Sequence, residues 1–163
     1  MKRNLFIALL VIFNVAIDQI TKIWVRANLI YGKPEEVIGD TFIFQYVENE
    51  GAFLGMGSDM NPTLHFILLK LLPLLVLGYV VYYILKNKTL DRLSLIAFCC
   101  IVGGGISNVF DRFAFGKVTD FLFIDLGGIF KTGIFNLADV SVTTGMLILI
   151  FSNFLLKKKK TEA

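Results

Sequence analysis

The sequence has a single histidine, His65, in 163 residues, which removes every metal site built on a histidine cluster. Its two cysteines, Cys99 and Cys100, are adjacent within an apolar run, so neither a disulfide framework nor a zinc spacing can be drawn. Charge is scarce: 18% of the residues are Asp, Glu, Lys or Arg, against about a quarter in an ordinary soluble domain. A net charge of +3 is too small for a nucleic-acid footprint. No internal repeat and no low-complexity linker divides the chain, and residues 1–163 suit one domain. What remains is apolar, at 56% hydrophobic residues and a mean hydropathy of +0.73. That composition belongs to an integral membrane protein.

Four apolar stretches, residues 5–24, 64–85, 93–110 and 137–156, are long enough to cross about 30 Å of hydrocarbon at about 1.5 Å per helical residue. Lys2 and Arg3 give the first the look of a signal peptide. Its apolar run is longer than an h-region and no small-residue cleavage site follows, so a retained helix is expected. Lys2, Arg3, Lys86, Lys88, Arg92 and Lys157 to Lys160 put nine positive charges on one side, against Asp91 and Glu162. The positive-inside rule then places both termini in the cytoplasm and turns segments 25–63 and 111–136 outward. The Lys157–Lys160 tail reads as a stop and topology signal suited to an anionic membrane surface. In the outer segments, Thr41–Val47 puts Phe42, Phe44 and Tyr46 on one strand face, Asn49-Glu50-Gly51 reads as a turn, and Lys131–Ile134 as a loop. The expected fold is an all-α membrane protein with four transmembrane helices and a small sheet at headgroup level.

Polar groups inside a span cost several kcal/mol unless paired or hydrated, which makes them functional candidates. Here they converge on the outer helix ends. The first span carries Asn14, Asp18, Thr21 and Lys22, the third ends on Asn108, Asp111 and Arg112, and the fourth opens with Asn136 and Asp139; Asp120 lies between the last two. Plainer readings stand beside each. Asp18 and Lys22, spaced i,i+4, can be a structural ion pair. Asn136 can be an N-cap with Asp139 offsetting the helix dipole. Asp111 and Arg112 can pair with each other at the interface. Gly103-Gly104-Gly105 suits close helix packing, Pro73 a kink, and His65 and Lys70 interfacial positions.

A lone histidine leaves no partner for a serine or cysteine nucleophile, and a Ser107–Lys22 dyad remains as a rival. Magnesium chemistry lacks a phosphate-binding loop. Two carboxylates are left. If Asp120 and Asp139 meet, they can share one proton, the ionised one taking a proton from water while its partner polarises a scissile carbonyl. Such a pair needs no metal and no cofactor. A proton-coupled transporter is the alternative from another class, but it would prefer acids near the midplane and repeated halves.

Five motifs, DQITK (Asp18–Lys22), NEGAFLG (Asn49–Gly55), GGGISNVFDR (Gly103–Arg112), VTDF (Val118–Phe121) and FNLAD (Phe135–Asp139), come in the order found in one family. Over essentially its whole length the chain resembles the lipoprotein signal peptidase (signal peptidase II) family. The resemblance implies a bacterial aspartyl endopeptidase of the cytoplasmic membrane, active at its outer face, with an extracytoplasmic β-cradle. It would remove the signal peptide from prolipoproteins just before the cysteine bearing diacylglyceryl. By motif, Asp120 and Asp139 match the catalytic pair, and Asn49, Gly51, Asn108, Arg112 and Asn136 the residues lining the site. Asp18, Lys22 and Asp111 fall in supporting positions. The implied partners are lipid-modified prolipoproteins and membrane lipids, with no nucleic acid and no obligate protein partner. Two departures stand out: Gly51 is followed by Ala52, Phe53 and Leu54 where two small residues and an aromatic are usual, and Ser107 stands where glycine is general.

Overall fold

The computed structural model describes residues 2–52 and 55–161, with side chains described as far as Ser152. Phe53 and Leu54 of the turn motif, and the side chains of the Lys157–Lys160 run, lie outside the described residues. Helix α1 spans Arg3–Asn28, α2 Pro62–Lys86, α3 Arg92–Ala114 and α4 Leu137–Thr161. Strands β1 (Pro34–Ile38), β2 (Phe42–Asn49) and β3 (Val118–Ile124) form one antiparallel sheet in the order β1-β2-β3. Helices α1, α2 and α3 are long and apolar enough to cross a membrane; the apolar stretch Leu137–Ser152 of α4 is shorter.

The bundle is built with polarity reversed from that of a soluble protein. On α1 the buried residues are Ile7, Asn14, Asp18, Lys22 and Val25, a single helical stripe at spacings near 3.6. Leu9, Ile12, Phe13, Ile20 and Ile23 face outward. A helix with that pattern hides its polar groups against protein and gives its apolar side to lipid. Helix α3 sits at the centre, packed on α1, α2 and α4. Its glycines allow this. A Cβ on Gly103 would stand 2.5 Å from Cβ of Asn14, one on Gly105 2.6 Å from Leu77, and one on Gly104 would run into the Ala138 carbonyl oxygen.

Just before Pro73, the residue read as a kink site, α2 passes through a π turn at Ile67–Leu71, where the Leu72 N–H reaches the Ile67 carbonyl. Proline donates no hydrogen bond and its ring crowds the carbonyl four residues back, so the wider turn before it absorbs the mismatch. The sheet contains more than the single strand expected from the sequence. Val118–Ile124, an apolar run, forms β3, and Pro34–Ile38 adds an edge. Edge-to-face contacts join Trp24 to Phe44 and Phe44 to Phe121, with ring centroids 6.1 and 5.9 Å apart. They seat the sheet on the C-terminal end of α1, over Val25 and Leu29. Between Phe44↔Leu122 and Val47↔Asp120 the register slips, a bulge that redirects the residues beside it.

Replacing Gly104 by alanine is expected to force α3 from α4 and cost about 1–3 kcal/mol, the usual penalty of overpacking. Gly78→Ala, whose Cβ would meet nothing within 4 Å, should be neutral or stabilising by up to ~1 kcal/mol. Thermal unfolding of both variants in detergent reads the difference.

Candidate active site

The site begins with one buried cation. Lys22 and Asp18 lie four residues apart on α1, and the ammonium Nζ is 2.7 Å from Oδ2 of Asp18, 2.7 Å from Oδ2 of Asp111 and 2.8 Å from Oδ1 of Asn108. Three acceptors match the three protons an ammonium carries. The side chains of Lys22, Asp18 and Asp111 are fully buried, and the one ammonium serves both carboxylates inside the protein. Asp18 also reaches α4: its Oδ1 accepts the Ala138 N–H at 2.8 Å, and its Oδ2 accepts the Ser107 hydroxyl at 2.7 Å.

That contact fixes where α4 starts, and the start carries Asp139. Asn136 precedes the first turn and caps it reciprocally. The Asp139 N–H donates to Asn136 Oδ1 at 2.9 Å, and the Asn136 N–H donates to Asp139 Oδ2 at 3.1 Å. The Asn136 amide then turns outward and donates to Asp120 Oδ1 at 2.6 Å and to Asn108 Oδ1 at 3.1 Å. Asn108 donates in turn to Asp139 Oδ1 at 2.8 Å, and Asn49, on β2, to Asp120 Oδ2 at 2.9 Å. One asparagine therefore touches both aspartates, and every oxygen of the two carboxylates accepts an N–H.

Arg112 closes the far side. Its Nη2 donates to the Gly51 carbonyl at 2.9 Å, while its Nε is buried with no acceptor among the described residues. Gly51 has no room for a side chain: a Cβ would lie 2.5 Å from the Gly55 backbone. Asn49, Asn108, Arg112, Asp120 and Asp139 surround a polar cavity of about 60 Å³, large enough for water. Two larger cavities flank it. One of about 510 Å³ reaches Asp120 past Glu48, Asn49 and Gly51; the other, about 440 Å³ and walled by Phe130, Ile134, Phe135 and Val140, reaches Asp139. Burial pushes Asp120 up to about 6, aided by the charge of Asp139 and opposed by the Asn49 and Asn136 hydrogen bonds.

The ten residues matched by motif thus form one connected set, while Asn14, among the described residues, donates only to the Leu10 carbonyl of its own helix. Asp111 was read as a mate for Arg112, but it pairs with Lys22, because neighbours on a helix point about 100° apart and Asp111 faces α1. Ser107 is fully buried and spends its hydroxyl on Asp18. Gln19 was missed: its Nε2 donates to Ser107 Oγ and Asp111 Oδ1, both at 2.9 Å. Its place inside the DQITK motif was the available signal. Arg26 was missed too, donating to Thr119 Oγ1 at 3.0 Å and lying 4.7 Å over the Phe115 ring.

The raised pKa of Asp120 has a signed consequence. Between pH 4 and 6 the unfolded chain has lost this proton while the folded chain keeps it, so stability falls across that window and is level above it. Relative to Asp120→Asn, the wild type should lose about 2 to 3 kcal/mol from pH 4 to pH 6.5. Unfolding of the two proteins over that range checks it, and parallel curves would contradict the burial cost.

The family model described as signal peptidase (SPase) II matches residues 10–155. A lipoprotein signal peptidase of Clostridium novyi is 34% identical over 152 residues, covering 93% of this chain and 98% of the relative. One from Psychromonas ingrahamii is 36% identical over 145 residues, covering 89% and 82%. A solved structure of a bacterial membrane enzyme, obtained by the in meso method at 2.3 Å, superposes with a TM-score of 0.82 at 26% identity, covering 97% of this chain and 92% of that one. A second, at 1.9 Å, gives 0.77 at 27% identity. The chain belongs to the signal peptidase II family.

Proposed function

We propose that this chain removes the signal peptide from diacylglyceryl-modified prolipoproteins, cutting just before the lipidated cysteine, with Asp120 and Asp139 activating water. Its relatives are named lipoprotein signal peptidases. The observation that carries the mechanism is Asn136, which donates to both carboxylates, Asp120 and Asp139, where they line a cavity of water size. In this reading α4 is a fourth span, residues 1–163 form one domain, and both termini are cytoplasmic. The site then lies at the outer face of the bacterial cytoplasmic membrane.

The two acids divide the work by environment. Asp139 sits in the first turn of α4, where the helix dipole and the Asn136 N–H act against the cost of burying the anion. Asp120, with its pKa pushed up to about 6, is the better holder of a proton. Asp139 takes a proton from water as the oxygen attacks the scissile carbonyl carbon, and Asp120 gives its proton to the carbonyl oxygen. The tetrahedral diol collapses when Asp139 returns its proton to the leaving nitrogen and Asp120 recovers one from a hydroxyl. Atoms and charges balance without a cofactor. The unused Nε donor of Arg112 is available to a substrate carbonyl. Asp18, Lys22 and Asp111 hold the frame. The apolar 440 Å³ cavity beside Asp139 suits the acyl chains, each buried methylene adding about 0.8 kcal/mol.

A gel-shift cleavage assay on a diacylglyceryl prolipoprotein tests this, with Asp120→Asn and Asp139→Asn compared to wild type. Both variants should unfold as cooperatively as wild type, yet lose cleavage by at least ~10²-fold. Near-normal cleavage by either one would remove the two-aspartate mechanism.

A further inference from the structure

At the end of the bundle away from the aspartates, a cavity of about 390 Å³ opens between the first turns of α1 and α3 and the connection from α2 to α3. Arg3, Lys88 and Arg92 stand around it, over Phe6, Leu90 and Leu95. None of the three cations has an ion-pair partner among the described residues. Asp91, the nearest acid along the chain, is committed to capping α3, its Oδ1 accepting the Ser94 N–H at 2.9 Å.

Three like charges around one hollow repel unless an anion lies between them. Two are held in place by contacts of their own. Arg3 Nη2 donates to the Ile84 and Asn87 carbonyls at 2.7 and 2.9 Å, closing the C-terminal end of α2. The Arg92 guanidinium lies 5.8 Å over the Phe6 ring. Both keep further N–H groups free, and a guanidinium fork matches phosphate oxygens two at a time. The surroundings say which phosphate. The floor is apolar, and Leu5 and Leu93, next in sequence to Phe6 and Arg92, are exposed by 52% and 44%. A free inorganic anion would use the cations and leave the apolar floor empty.

We propose that this cavity binds an anionic phospholipid, its phosphate among Arg3, Lys88 and Arg92 and its acyl chains along Leu5 and Leu93. The site is separate from the aspartates and does not depend on the reaction they perform. Basic pockets between membrane helices take such headgroups, and each basic side chain contributes enough for about a fivefold change in affinity.

The test uses the full chain in neutral detergent and follows its unfolding temperature against added phosphatidylglycerol, phosphatidylcholine or inorganic phosphate. Phosphatidylglycerol should raise that temperature saturably, while the other two should not. Lys88→Gln with Arg92→Gln should need about thirtyfold more phosphatidylglycerol, and Lys88→Gln alone, on an exposed connection, about fivefold. The single variant decides the matter if the double one does not fold. Arg92→Lys should bind within a few-fold of wild type. Unchanged phosphatidylglycerol affinity in the glutamine variants overturns the site, and a shift of equal size with inorganic phosphate overturns its assignment to lipid.

Discussion

The arrangement depends on Lys22. An ammonium ion between apolar helices is tolerable only when all its protons are met, and here the acceptors come from α1 itself and from two residues of α3. The requirement sets the rotation of α1 and its depth against α3. Asp18, held by Lys22, then accepts the Ala138 N–H and fixes where α4 begins. Asn108, shared between Lys22 and Asp139, carries the same constraint one step further. Losing the cation would strand two buried carboxylates, a penalty of about 3–5 kcal/mol when one partner of a buried pair is removed.

Two kinds of carboxylate stand a few ångströms apart, and their neighbours differ in kind. Asp18 and Asp111 face a cation, the ammonium of Lys22. Asp120 and Asp139 face the asparagines Asn49, Asn108 and Asn136. A neutral amide orients a carboxylate without forbidding the proton, so amides suit groups that must gain and lose one. Lysine or arginine in those places would steady the geometry but pin the charge. The proposed chemistry of the pair therefore rests on the choice of asparagine.

The helices and the polar set were legible in the sequence because both rest on strong signals: apolar runs of membrane length, and polar residues where lipid penalises them. Asn136 and Asp139 were readable as a cap from their spacing alone. What hid was non-local. Val118–Ile124 is a short apolar run, which periodicity cannot tell from a helical segment, and Pro34–Ile38 has too few strand-favouring residues to declare itself. The pairing of Asp111 with Lys22 joins residues 89 positions apart, so adjacency favoured Arg112 instead. The π turn has no composition of its own, and only its place before Pro73 explains it afterwards.

The free edge of the sheet has a consequence of its own. β1 is the free edge, and a free edge is a template on which any unfolded chain can stack. This one opens with Pro34, whose nitrogen has no hydrogen to offer, continues with Glu35 and Glu36, and loses register before Ile38. Each feature discourages another strand from adding there. The sheet can meet another extended chain without enrolling it into a growing aggregate.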